Sequence, residues 1–380
     1  MGLRRYIVSI AAALVVVAVQ AQEQSVLVNG RDTLHYRYTP TVSPKKSDNF
    51  KLDFSAAPIY STSIGWGAAV ATSGSYKLKG ATNASTITLQ ASATLKGFYS
   101  ISLRGVNRFK NDRHTLDYYI AASGRNVNFW GIGYSAAMEN TPILYSSDSQ
   151  HGEVGYNYRI WKNLYIRPAV RLDHIDTKSD DSELFAELTG GGNEVLTTTL
   201  SLTLKYDSRR SNGYDQRGGM ALFQVAARPK VLGDTSSTSY RSIVQAIYYQ
   251  PLWKGATLAA ELYAQSNSTT TPWQLFPQLG DNSRMRGYYE GRFMDRNIAT
   301  AQVELRQHIW NGIGVAIWGG GGNSFASLTD FKWRNTLPNY GIGLRYKYGN
   351  IIDVRVDYGI GCLISGKRVN GVVIGISESF

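Results

Sequence analysis

Side chains able to carry bond chemistry are few in this sequence, and they are scattered. Five histidines, His35, His114, His151, His174 and His308, include no pair at metal-ligand spacing. His151 stands two residues from Ser149 and His114 two from Asp112, where an imidazole could deprotonate a hydroxyl or lean on a carboxylate. Neither has a third group placed beside it in the sequence to orient the base, so a serine hydrolase is set aside. The run Gly319 to Gly322 lacks a following Gly-Lys-Ser/Thr and is no phosphate loop. Cys362 is the single cysteine, which excludes an intrachain disulfide and suits a structural thiol. The expectation is a protein without catalytic residues, metal or cofactor.

What remains is fixed charge. The formal net charge of +12 falls to +10 without Arg4 and Arg5. Those two arginines precede an apolar run from Ile7 to Val19, and Val19-Gln20-Ala21 has small residues at its first and third positions. Residues 1–21 therefore read as a secretory signal peptide cleaved after Ala21. An exported chain rarely meets nucleic acid, so no nucleic-acid partner is expected, and the basic balance reads as lumen lining and as loops facing an anionic lipid surface. Beyond the signal, no window reaches the ~18 to 20 apolar residues that a membrane-crossing helix needs.

The elements that must position these charges repeat with a period of two. Ile352, Val354, Val356, Tyr358 and Ile360 alternate with Asp353, Arg355, Asp357, Gly359 and Gly361. Leu164, Ile166, Val170 and Leu172 likewise oppose Tyr165, Arg167, Arg171 and Asp173, while Leu196, Leu200, Leu202 and Leu204 oppose Thr197, Thr199, Ser201 and Lys205. The segments run about 9 to 12 residues, the span of a tilted membrane strand rather than the ~5 to 6 usual in soluble sheets. Tyrosine and tryptophan gather near segment ends, as at Trp310, Tyr346 and Tyr348, where an apolar ring with a polar tip suits a membrane interface.

Candidate tight turns include Leu95 to Gly97, Ser123 to Asn126, Trp161 to Asn163 and Trp310 to Gly312, assigned to the periplasmic side. Polar loops near Lys79, Asn111, Asp148, Asp180 and Asp281 are assigned to the outside. The spacing predicts an all-β, 16-stranded antiparallel transmembrane β-barrel over residues 61–380, after a short periplasmic segment over 22–60. Its first strand is expected from Ser63 to about Thr72, where Gly65, Gly67, Ala68, Ala69 and Ala71 would form a weakly held closing pair. A separate strand is expected from Val127 to Ser135, and Arg104, Arg159, Arg167, Arg171, Arg345 and Lys347 are expected to face the lumen. The last segment places Val372, Ile374, Ile376 and Phe380 on one face, with closure against the first strand removing an exposed edge.

A final strand ending on an aromatic, here Gly375, Ile376 and Phe380, resembles the assembly signal of bacterial outer-membrane barrels. The long loop with Ser283-Arg284-Met285-Arg286-Gly287-Tyr288 resembles that of the BamA/TamA outer-membrane assembly and translocation superfamily, also called the bacterial surface-antigen family. Members carry an Arg-Gly-aromatic tip, matched by Arg286, Gly287 and Tyr288, in a sixth extracellular loop that folds into the lumen. The resemblance implies that Arg286 meets a wall glutamate, matched by Glu304. Members often have an aspartate on the following strand, where this chain has Gly320, so a second acidic partner is not expected there. Lys205 to Arg210 with Gly218-Gly219, and Phe129 to Gly133, resemble two further family segments.

The resemblance covers roughly Tyr60 to Phe380 and not the periplasmic POTRA domains that most members carry. It implies an outer-membrane location and insertion or translocation of protein or lipid through a labile seam between first and last strands. Implied partners are outer-membrane lipids, the barrel-assembly machinery during biogenesis, and an unfolded protein or lipid substrate. The alternative is a passive diffusion pore that favours anions through its inward basic residues.

Overall fold

The computed structural model describes residues 50–380 except 213–214, 281–282, 349–351, 364–365, 367, 377 and 379. The expected signal peptide and most of the expected segment over 22–60 fall outside the described residues. Sixteen strands follow in order: β1 (Lys51–Ser61), β2 (Gly65–Tyr76), β3 (Ser85–Thr94), β4 (Tyr99–Arg108), β5 (His114–Phe129), β6 (Ile143–Trp161), β7 (Leu164–Ser179), β8 (Glu194–Asp207), β9 (Asp215–Arg228), β10 (Ser239–Pro251), β11 (Ala256–Asn267), β12 (Asn297–Trp310), β13 (Ile313–Phe325), β14 (Leu337–Tyr348), β15 (Ile352–Cys362) and β16 (Arg368–Ile376). A short piece, Arg210–Asn212, folds back on Asp215 to Arg217 in the turn between β8 and β9. Each strand pairs antiparallel with its sequence neighbour, and β16 meets β1 to close the barrel.

Alternation within the strands shows which solvent each face was built for. On β8, Leu196, Leu200, Leu202 and Leu204 are exposed while Thr197, Thr199 and Thr203 are buried. On β14, Ile342 and Leu344 are exposed while Asn339 and Arg345 are buried. Apolar residues outside and polar residues inside invert a soluble sheet and match a lipid-facing wall around a polar lumen.

The sequence reading reached the same count through two compensating errors. Lys51–Ser61, assigned to the lead before the barrel, is the first strand. Val127–Ser135 is not a strand of its own: β5 continues to Phe129 and α1 (Tyr134–Glu139) follows. Ser123 to Asn126 is strand interior because Gly124 faces Tyr99, whose ring occupies the space that a Cβ would need. Asp148, read as loop, lies opposite Gly124 in β6 and accepts a hydrogen bond from the Tyr99 hydroxyl at 2.9 Å. With 16 and 19 residues, β5 and β6 exceed the ~9 to 11 that cross the hydrocarbon, so polar residues are tolerated beyond it.

The extra first strand also exchanges ends for the early connections. Residues 95–98 join the end that carries the long connections 130–142, 180–193, 229–238, 268–296 and 326–336. Residues 77–84 and 109–113 join the end with the short turns at 162–163, 252–255 and 311–312. Short turns mark the periplasmic side, so 268–296 is the sixth extracellular loop.

Closure is uneven. Adjacent strands elsewhere share from eight residue pairs (β3 with β4) to sixteen (β5 with β6). Among the described residues, β1 and β16 share two, Tyr60 with Ile374 and Ser61 with Val373, at the extracellular end of β1 and in the second half of β16. The glycine-rich Gly65–Tyr76 segment, expected at this closure, is instead β2 and pairs along its length with β1. In β1, Pro58 sits within the continuous ladder to β2, so its missing N–H falls on the β16 side.

Candidate functional site

The arginine of the loop tip sits in a buried ion lattice on the lumen wall. Arg286 is fully buried, and its guanidinium donates to Glu304 of β12 at 2.6 Å and to Asp357 of β15 at 2.8 Å. Its Cζ stacks 3.6 Å from the Trp318 ring centroid on β13. Glu304 also accepts from Arg306 at 2.7 Å and Arg345 at 3.2 Å, and Asp357 from Arg345 and Arg355, both at 2.5 Å. Each buried carboxylate is thus shared among three guanidinium groups, an arrangement that offsets the desolvation of the ions.

Gly320 carries no acid, as its identity dictates, but the second partner exists on another strand. Asp357 supplies it from β15, two strands beyond the position expected from the resemblance. The sequence had already placed Asp357 on the polar face of its strand, yet nothing local linked it to Arg286.

Glycines on β15 make the seat for the loop. A Cβ on Gly359 would lie 2.2 Å from the Arg286 carbonyl oxygen, and one on Gly361 would lie 2.2 Å from the Tyr288 ring. Gly287 adopts φ +105°, a conformation that a side chain would strain, and backs directly onto Gly359. The Tyr288 hydroxyl donates to the Pro338 carbonyl at 2.6 Å and accepts from the Cys362 N–H at 3.0 Å. Burial raises the pKa of this phenol, which keeps it a donor.

Two further anchors were not read from the sequence. Arg284 donates to buried Glu261 of β11 at 2.6 Å and stacks 3.8 Å from the Tyr263 ring centroid. Glu290 pairs with Arg125 of β5 at 2.8 Å, on the opposite side of the strand cycle from β13. The loop therefore crosses the lumen, tied to both walls. Loops 130–142 and 180–193 pack against it: Arg292 donates to the Ala137 carbonyl, and Gln274 to the Gly192 carbonyl. Phe129, Tyr145, Phe185, Trp273, Phe276 and Met294 form an apolar cluster among these segments. The ties of Gln274 to Gly192, Arg292 to Ala137 and Glu290 to Arg125 join residues more than 80 positions apart, which no local pattern can reveal.

The chain's tail crosses at the periplasmic half. Phe380, expected on the face of Ile374, is instead buried with Met220, Ile247, Tyr249 and Ala259 on the inner side of β9, β10 and β11. Arg306 lies 5.1 Å from its ring, and Glu378 accepts from Arg345 at 2.9 Å. Ionic partners inside the lumen draw the tail off the strand line. The Ile376 side chain lies outside the described residues, and Gly375 faces Arg355.

Of the basic residues expected to line the lumen, most are already paired. Arg167 bonds Asp117 and Glu153, Arg171 bonds Asp173 at 2.7 Å, and Arg159 donates to the Asn111 carbonyl. Arg104 lies 5.1 Å from the Tyr119 ring centroid, and Arg345 belongs to the ion lattice. The Lys347 side chain lies outside the described residues. The imidazoles fare similarly. Asp173 does orient His151, at 2.6 Å, but the Ser149 hydroxyl bonds Ser123 and no group among the described residues bonds His151 Nε2. His114 bonds Tyr156 rather than Asp112.

A wall glutamate and a loop Arg-Gly-Tyr held together inside a sixteen-strand barrel coincide with a family match in the sequence: the Omp85 superfamily domain matches residues 80–380. The chain belongs to the Omp85 superfamily. As an Omp85 barrel it lies in the bacterial outer membrane. No curated protein sequence matches the chain. Among solved structures, BamA from Haemophilus ducreyi lacking POTRA domains 1–3 is similar at 12% identity and a TM-score of 0.59, over 88% of this chain and 71% of that one. CdiB from Acinetobacter baumannii is similar at 12% identity and a TM-score of 0.56, over 85% and 59%, and CdiB from Escherichia coli at 12% and 0.54, over 84% and 62%. This Omp85 chain thus spans about six-tenths of each CdiB chain, and at such identities the likeness is one of fold.

Proposed function

We propose that this Omp85 barrel is a non-enzymatic device that inserts or translocates protein or lipid at the outer membrane, through the seam between β1 and β16. The carrying observation is that, among the described residues, the seam closes through two pairs beside walls with eight or more. Unpaired strand edges are costly in lipid and open to a new partner. Pro58 removes one donor from the seam, and the inward tail removes strand that could have extended it. The loop bearing Arg286 braces the lumen while the seam works. Outer-membrane lipids are the surrounding partner, the barrel-assembly machinery acts during biogenesis, and the substrate is an unfolded protein or a lipid.

A passive, anion-favouring pore is opposed by two crossings of the lumen and by the pairing of Arg167, Arg171 and Arg345 with wall carboxylates. The test compares outer-membrane protein and lipid content in cells with and without the chain. Loss of a subset of outer-membrane proteins, or a changed lipid balance, supports the proposal. Identical content in both strains overturns it.

A further inference from the structure

The periplasmic rim carries a feature that neither the seam nor the loop uses. Connections 77–84 and 109–113 are hydrogen-bonded into one ledge, which the turn at 162–163 follows along the rim. Asn111 and Asp112 adopt φ +56° and +51°, which turns the Asp112 carboxylate back to accept from Thr82 N at 3.0 Å and Asn83 N at 3.1 Å. Asn111 N donates to the Gly80 carbonyl at 2.8 Å, and Arg159 of β6 holds the second connection through the Asn111 and Arg113 carbonyls at 2.6 and 2.9 Å. Asp112 is the sole carboxylate of these connections, and the ledge absorbs it internally. Lys77, Lys79, Lys110, Arg113 and Lys162 project from the ledge and are exposed.

The ledge lies at the edge of the lipid-facing wall. Arg113 donates to the Tyr158 hydroxyl at 2.7 Å and stacks 5.2 Å from that ring. Tyr156 and Ile160, on the same outward face of β6, and Trp161 at its end are exposed as lipid-contacting residues would be. Tyrosine and tryptophan favour the headgroup level, so the five cations stand at the depth of lipid phosphates. The rim opposite is mixed: Asp180, Asp181, Glu183, Glu187 and Glu194 are exposed around α2 (Ser182–Thr189), and Lys178, Lys230, Lys332 and Arg334 are exposed as well. The ledge differs in that its five exposed cations have no exposed carboxylate among their own connections.

We propose that this ledge binds the headgroup phosphate of anionic phospholipids in the periplasmic leaflet and selects them over zwitterionic ones. Arg113 offers a planar fork to the phosphate oxygens, and the lysines add point charge around it. The aromatic belt below receives the acyl chains.

The full chain, placed in nanodiscs of equal phosphatidylglycerol and phosphatidylethanolamine and then released into mild detergent, is examined by native mass spectrometry for retained lipid. Phosphatidylglycerol should be retained over phosphatidylethanolamine by about tenfold. Combined Lys77→Ser, Lys79→Ser, Lys110→Ser, Arg113→Ser and Lys162→Ser should bring the ratio near one with compact gel mobility intact. If that variant does not fold, Lys77→Gln with Lys79→Gln should lower the ratio severalfold. Lys230→Ser with Lys332→Ser, on the extracellular loops, should leave it unchanged. Equal retention by the wild type, a preference that survives removal of the ledge cations, or displacement of the lipid by millimolar inorganic phosphate would each overturn the proposal. So would capture of an acidic protein in place of lipid.

Discussion

Replacing Arg286 with alanine tests the bracing role of the loop in quantitative terms. The substitution removes a fully buried guanidinium from Glu304 and Asp357 and uncovers the Trp318 ring. Breaking a buried ion pair costs ~3–5 kcal/mol when the partner is left uncompensated. Here Glu304 keeps Arg306 and Arg345, and Asp357 keeps Arg345 and Arg355, so the ionic part falls at the low end. Lost stacking on Trp318 adds about 1 kcal/mol. A total of about 4 kcal/mol, at roughly 2 °C per kcal/mol for a chain of this size, lowers the unfolding temperature by about 8 °C.

The assay is gel mobility after graded heating, since a folded barrel migrates as a compact band. The lattice also predicts an order. Glu304→Ala, which takes a carboxylate from three guanidinium groups at once and leaves them to Asp357 and Glu378, should cost more than Arg286→Ala, and Arg286→Lys, which keeps charge without the fork, should cost less. Wild-type heat resistance in Arg286→Ala, or a smaller loss in Glu304→Ala than in Arg286→Ala, would refute the reasoning.

Other outcomes follow from the same geometry. Gly361→Ala places a Cβ on the Tyr288 ring and should unseat the loop, with a fall in heat resistance, whereas Gly319→Ala, which meets nothing within 4 Å, should behave as wild type. Planar-bilayer recording of the wild type should give erratic or absent conductance, and Arg125→Ala with Arg286→Ala, which frees the loop from both walls, should raise it; steady anion-selective current from the wild type would contradict the crossing. Phe380→Ala empties a lumenal contact and should cost about 3 kcal/mol of heat resistance, and a variant with unchanged heat resistance would return the side chain to the lipid face.

Legibility in the sequence followed the strength of alternation. From Leu164 onward most strands have an apolar face with polar residues opposite, and the turns at 162–163 and 311–312 were read correctly. In the first third, two residues misled. Pro58 closes a polar stretch with Pro40, Pro44 and Lys45-Lys46 that resembled a lead into the barrel, although a proline is acceptable in a strand that pairs fully on one side only. Gly124 resembled a turn, although its missing side chain makes room for Tyr99. In the candidate site, Arg286 and Glu304 were named because the loop motif and the strand register are local. Asp357, 71 residues from Arg286, and Arg125, 165 from Glu290, required the barrel to close, while Glu261, 23 residues before Arg284, had no motif to mark it. The inward path of the tail was illegible for the same reason: Glu378 and Phe380 meet arginines and a lumenal cluster contributed by β9 to β14.

The central claim, that traffic uses the first and last strands, is tested most directly by locking them. Ser61 and Val373 are register partners, so Ser61→Cys with Val373→Cys, in a background of Cys362→Ser, should form a disulfide across the seam. A control lock, Leu202→Cys with Val225→Cys, joins β8 to β9 within the wall. The measurement is whether the chain restores outer-membrane protein and lipid content in cells lacking it. The account predicts failure with the seam locked, recovery on reduction, and full restoration by the control; full restoration by the oxidised seam variant would contradict it.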